Sequence, residues 1–76
     1  MEAKVFVQNF TSQFDETDTS SCSIHTRFRD IEGWSSLVAL SIIAMVDEEY
    51  KVKLTGDDIR SSTSIEDIYN IVNSRM

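Results

Sequence analysis

The sequence predicts an all-α fold: a small bundle of three main helices plus a short third one, with a long first connection. Three observations predict it. Apolar residues recur at helical spacing over residues 2–14 and again over residues 65–76. Residues 36–50 are mostly apolar and contain neither Gly nor Pro. The one alternating stretch, residues 51–54, is too brief for a sheet. With 76 residues the chain is expected to form a single domain, 1–76, around a modest core.

The first helix rests on Ala3, Phe6, Val7, Phe10 and Phe14, which share a stripe about 100° wide on a helical wheel. Val5 lies off that stripe and is assigned to the surface. Residues 15–34 carry no clear period, are rich in Asp, Ser and Thr, and form the long loop. Loops of this length are usually functional or pinned. Phe28 and Ile31 are the expected pins, and the front half, through Thr26, is expected to be mobile.

Over residues 36–50 an unusually wide apolar arc runs through Leu37, Ala39, Leu40, Ile42, Ile43, Ala44, Val46 and Tyr50, so this helix should be central. Glu48 lies about 20° from Leu37 on the wheel, and Ser41, Met45 and Val38 spread round to about 100°. These residues make the expected exposed face, apolar at its middle and acidic toward its end. Thr55-Gly56-Asp57-Asp58 offers a cap with a carboxylate at the third helical position, predicting a short helix over residues 56–61. Ser64-Ile65-Glu66-Asp67 repeats the logic, and Ile65, Ile68, Tyr69, Val72 and Met76 stripe the last helix.

A net charge of −6 and a pI near 4.5 argue against nucleic acid as a partner, because phosphates demand a basic surface. Basic proteins are the natural complement. A single cysteine, Cys22, and a single histidine, His25, leave no disulfide and too few soft ligands for zinc. Both are expected in the loop as a free thiol and a solvated imidazole. No apolar run reaches the roughly 20 residues of a membrane span, and the start lacks the pattern of a secretory signal. A monomeric, cytoplasmic protein without a metal is the expectation.

The run Gly33-Trp34-Ser35-Ser36-Leu37-Val38-Ala39-Leu40 places two hydroxyls where the loop becomes the apolar helix. A helix N-terminus presents unsatisfied amides and partial positive charge, which suit a phosphate or phosphodiester. Ser35 is positioned to cap, which leaves Ser36 pointing outward. The doubled serine thus divides its labour: one residue closes the helix and the other is available for modification.

Residues 34–72 resemble the acyl carrier protein family. The family's Asp-Ser-Leu signature, opening the second helix, corresponds to Ser35-Ser36-Leu37. Val46-Asp47-Glu48-Glu49-Tyr50-Lys51-Val52-Lys53-Leu54 is similar to the family's acidic cluster, aromatic and alternating tail. Asp57-Asp58-Ile59 and Thr63-Ser64-Ile65-Glu66-Asp67-Ile68 resemble its third-helix and fourth-helix openings, in register without a gap. The first helix agrees only by its pattern.

The resemblance implies an acyl-carrier-type bundle and a chain that is a substrate and shuttle, not an enzyme. A phosphopantetheinyl transferase would promote attack of the Ser36 Oγ on coenzyme A and leave a covalent 4′-phosphopantetheine arm. Fatty acid biosynthesis and lipid metabolism are within its scope, as are polyketide and aminoacyl cargo. Partner-binding positions would be Leu37, Val38, Ser41, Met45, Asp47 and Glu48, meeting loading and processing enzymes that carry basic docking surfaces. Ser35 replaces the family's usual Asp, and Val38 and Ser41 stand where acidic residues are frequent. Attraction of basic partners is therefore weakened at this end and falls to Asp47, Glu48 and Glu49. An unmodified protein-interaction module remains the alternative. A hydrolase using Ser36 is a distant third, since His25 is the only imidazole available for a triad.

Overall fold

A computed structural model describes residues 2–14 and 18–76. Its four α-helices are α1 (Ala3–Thr11), α2 (Ser36–Tyr50), α3 (Gly56–Arg60) and α4 (Ile65–Arg75), with a 3-10 turn at Phe28–Asp30 inside the first connection. The fold is an all-α four-helix bundle. Helices α1 and α3 each pack against both α2 and α4.

Helix α1 buries Phe6 and Phe10, and the following turn buries Phe14. The spacing of four residues stacks these rings on one face. The helix stops at Thr11, three residues before its apolar stripe ends. There the Thr11 hydroxyl donates to the Val7 carbonyl at 2.9 Å and the Ser12 hydroxyl to the Asn9 carbonyl at 2.7 Å. The amides of Gln13 and Phe14 turn to the carbonyls of Phe10 and Thr11, so the chain tightens into a 3-10-type turn. A run of rings then crosses the domain: Phe10 lies 5.9 Å from Phe28, Phe28 4.8 Å from Trp34, and Trp34 6.2 Å from Phe14. Phe28 and Ile31 are buried as expected, and this ring run is what pins the loop.

Of the loop's front half, expected to be mobile, residues 15–17 lie outside the described residues, and Ile24 and Thr26 are tied to α4. The amides of Ile65 and Glu66 donate to the carbonyls of Thr26 and Ile24 at 3.0 and 2.7 Å, and Arg27 bridges Ser64. Helix N-termini leave amides without intrahelical acceptors. Here two of those in α4 are satisfied by the loop, a pairing that no side-chain pattern announces. Cys22 is half-buried beside the core, and His25 is exposed, 3.8 Å from the Glu66 carboxylate.

Helix α2 requires a correction. Ile42, Met45 and Val46 are buried and Val38 packs partly against the core, whereas Leu37 and Leu40 are 73% and 62% exposed and Ala44 is exposed. The solvent face is therefore rotated by roughly 70° from the expected one. Met45 leaves that face at 7% exposure, and Leu40 and Ala44 join it. A helix apolar nearly all round has no phase of its own. Packing against α1 and α3 sets the phase instead.

The helix ends at Lys51, whose φ of 58° is left-handed without the help of a glycine. In the segment that follows, Val52 and Leu54 are buried while Lys51 and Lys53 are exposed, so the alternation serves as a strap over the core. Both expected capping boxes are present: Thr55 with Asp58 opens α3, and Ser64 with Asp67 opens α4. Asp58 also receives both terminal nitrogens of Arg75, at 2.7 and 3.0 Å. One carboxylate thus joins the start of α3 to the end of α4. The Arg75 guanidinium is the first cause, and the Thr55 amide the second, of an Asp58 pKa lowered to about 2.

Candidate functional site: the entrance of helix α2

The entrance to α2 is built by three successive devices. The 3-10 turn returns the Ile31 amide to the Phe28 carbonyl, and Trp34 donates in turn to the Ile31 carbonyl at 3.1 Å. Gly33, at φ 93°, makes the reversal that a side chain would resist. Trp34 is then held against Phe28 and Phe14, which fixes where the helix starts.

Ser35 is extended, at φ −157° and ψ 171°, and its hydroxyl accepts the Val38 amide at 3.3 Å. It is the N-cap. Ser36 is the first helical residue and is exposed. Among the described residues its own hydroxyl enters no hydrogen bond. A nucleophile at this point faces solvent beside the first-turn amides, where a phosphodiester is electrostatically favoured. The site fits a phosphate-linked arm in that respect: the hydroxyl is free, and no carboxylate stands in the first turn to repel the phosphate.

Ser36 also stands at the rim of an open groove of about 410 Å³ between α2 and α3. Trp34, Ala39, Leu40, Ile43 and Ile59 supply its apolar wall, and Arg29 and Arg60 line it too. Arg29 is committed to the fold. Its guanidinium lies 4.8 Å from the Phe28 ring centre and donates to the carbonyls of Ser62 at 2.6 Å and Ile59 at 2.8 Å, closing the C-terminal end of α3. Arg60 pairs with Asp57, with both side chains largely in solvent.

Of the other expected docking positions, Leu37 and Glu48 are exposed, Val38 and Ser41 half-buried, and Met45 buried. Asp47 is half-buried and accepts from Lys53 at 3.1 Å. The structure brings Leu37 and Glu48 onto one face and removes Met45 from it. Sequence reasoning missed Leu40 and the groove beside it, because the groove depends on how α3 lies against α2. Thr55-Gly56-Asp57-Asp58 signalled that helix but not its placement. No group of His, Cys, Asp or Glu suited to a metal occurs among the described residues, and none of the described helices is long and apolar enough to cross a membrane.

The chain matches the family model described as the phosphopantetheine attachment site over residues 6–72. It belongs to that family, the carrier domains of acyl-carrier type whose prosthetic group is covalent 4′-phosphopantetheine. No curated protein and no solved structure matches the chain.

Proposed function

We propose that the Ser36 Oγ is the attachment point of the phosphopantetheine arm, and that the domain shuttles acyl or aminoacyl intermediates between enzymes. The observation that carries this reading is the division of labour between the two serines. Ser35 has its oxygen occupied by the Val38 amide, while Ser36 presents an exposed, unbonded hydroxyl at the same helix entrance. That entrance lies inside the segment matched to the attachment-site family.

In this reading the chain positions a nucleophile and leaves its activation to a transferase. No side chain of the described residues bonds to the Ser36 hydroxyl as a base would. The chain's contribution is to hold the hydroxyl outward at a rigid helix start and to meet the phosphodiester with the free amides of the first turn. When bound, the arm supplies a terminal thiol that carries cargo as a thioester. The proposed docking surface is the exposed face of α2, from Leu37 through Leu40 and Ala44 to Glu48, with Asp47 and Glu49 adding negative charge at its far end for basic residues of partner enzymes.

Intact-mass measurement tests the assignment. After incubation with a broad-specificity phosphopantetheinyl transferase and coenzyme A, the full chain gains one phosphopantetheine. Ser36→Ala abolishes the gain, and Ser35→Ala retains it while losing about 1 kcal/mol of stability with the cap. Loss in Ser35→Ala with retention in Ser36→Ala refutes the register. A wild-type chain with no gain leaves the unmodified interaction module as the reading. Mass spectrometry of natively purified chain identifies the cargo.

A further inference from the structure

Helix α3 is too short to sustain itself. Its five residues barely exceed one turn, so its helicity depends on what holds it in place. Ile59 is its one buried apolar side chain. An arginine from another element grips each end. Arg75 of α4 forks onto Asp58 in the first turn, and Arg29 of the first connection donates to the carbonyls of Ile59 at 2.8 Å and Ser62 at 2.6 Å.

The two ends are not equally fast. At Asp58 a guanidinium meets a carboxylate that also accepts the Thr55 amide at 2.9 Å. Arg29 meets neutral carbonyls, which hold a cation less tightly than a carboxylate does. The remaining bonds of this last turn stay within it. The Ser61 and Ser62 hydroxyls both donate to the Asp58 carbonyl, their amides go to the carbonyls of Asp57 and Ile59, and Arg60 pairs with Asp57. Among the described residues, Arg29 alone hydrogen-bonds residues 59–62 from outside the helix and its cap. One residue further on, the Thr63 amide is fixed to the Asp67 carboxylate at 2.8 Å.

We propose that residues 59–62 form a flap that lifts between fixed points at Asp58 and Thr63 while α1, α2 and α4 stay packed, and that Arg29 is its latch. The flap carries Ile59 and Arg60, the side of the groove that faces α2. Arg29 therefore governs, from the first connection, how often the groove beside Ser36 widens. The latch has a firm base, because the neighbouring Phe28 is fully buried among the rings of Phe10 and Trp34. Arg29 is in this sense a positioning residue, whether or not Ser36 carries the arm.

Native-state hydrogen exchange of the full unmodified chain, followed residue by residue by NMR in low urea, is the test. A segment that opens by itself exchanges without global unfolding. The expected result is that the amides of Ile59, Ser61 and Ser62 are less protected than those of Val46 and Val72, buried in α2 and α4, and respond little to urea, whereas Val46 and Val72 follow the steep dependence of global unfolding. Arg29→Met keeps an apolar stem over Phe28 but removes the donors, and speeds exchange of the three flap amides about tenfold or more, as the loss of a charged donor from two carbonyls requires. Arg29→Lys, which lacks the planar fork, gives an intermediate factor. Phe6→Leu loosens the core among Phe10, Tyr50 and Tyr69, away from the flap. It speeds exchange of Val46 and Val72 and leaves the flap amides unchanged, because Phe6 stays packed when the flap lifts. Flap amides that share the protection and urea dependence of Val72 in the wild type overturn the proposal. So does exchange at those amides that Arg29→Met leaves unaltered, or that Phe6→Leu speeds as much as Arg29→Met does. Either result leaves the assignment of Ser36 standing, and a chain that gains no phosphopantetheine leaves the flap standing.

Discussion

Asp58 joins the capping of α3 to the C-terminus of α4, and its protonation should loosen the bundle at one identifiable point. Its carboxylate is 16% exposed and receives the Thr55 amide at 2.9 Å and both terminal nitrogens of Arg75. The folded pKa of about 2, against an ordinary 3.8, spans nearly two units at about 1.4 kcal/mol each, which sets a ceiling of roughly 2.5 kcal/mol. Arg75 is 43% exposed, and solvent screening reduces the net contribution to about 1 kcal/mol. Because the folded pKa is depressed, the contribution is fully present above the unfolded value and disappears as pH falls through the folded one. The window is therefore about pH 5 to about pH 2. Asp58→Asn should lower stability by about 1 kcal/mol at pH 7, and the gap between variant and wild type should close by pH 2. Urea titration measures it: at a slope of about 1 kcal/mol per M for a domain of this size, the midpoint moves by about 1 M. Arg75→Gln should reproduce most of the loss and the same closure with acid. A gap that stays constant from pH 7 to pH 2, or no gap at pH 7, would refute the reasoning.

Two further substitutions test the packing. Met45→Ala should cost about 2–3 kcal/mol in chemical denaturation, because the side chain is buried, whereas Leu37→Ser should change stability by less than about 0.5 kcal/mol. Comparable costs at both positions would restore the unrotated face of α2. Lys51→Gly should raise stability by about 0.5–1 kcal/mol in a thermal melt: relief of the left-handed residue is partly offset by the greater freedom of glycine when unfolded.

Local chemistry made much of this architecture legible. Thr55 and Asp58, and Ser64 and Asp67, state their helix starts in side-chain oxygens alone, and Ser35 does the same for α2. The stripe of Phe6, Phe10 and Phe14 likewise carries its own phase, since the opposite side is polar apart from Val5. Where the sequence is apolar on every side, as from Leu37 to Val46, periodicity names a helix and is silent about its orientation. Met45 and Leu40 exchanged places for that reason. The ties of Ile24 and Thr26 to α4 escaped detection because they are made by backbone carbonyls, which every residue possesses.

The position of Ser36 was legible because its neighbour's capping role could be inferred from residue type. The groove beside it was not. Its far wall is Ile59 and Arg60, more than twenty positions along the chain, on a helix held in place by the burial of Ile59, the Asp58–Arg75 pair and the carbonyl contacts of Arg29.

Trp34 is the sole indole of the chain. It lies half-sheltered on Phe28, two residues before Ser36, the proposed attachment point, and borders the groove. The domain thus contains an intrinsic fluorophore at the place where arm, cargo and enzyme would converge. With the arm on Ser36, as proposed, its emission would give a label-free optical record of loading, unloading and handover in real time.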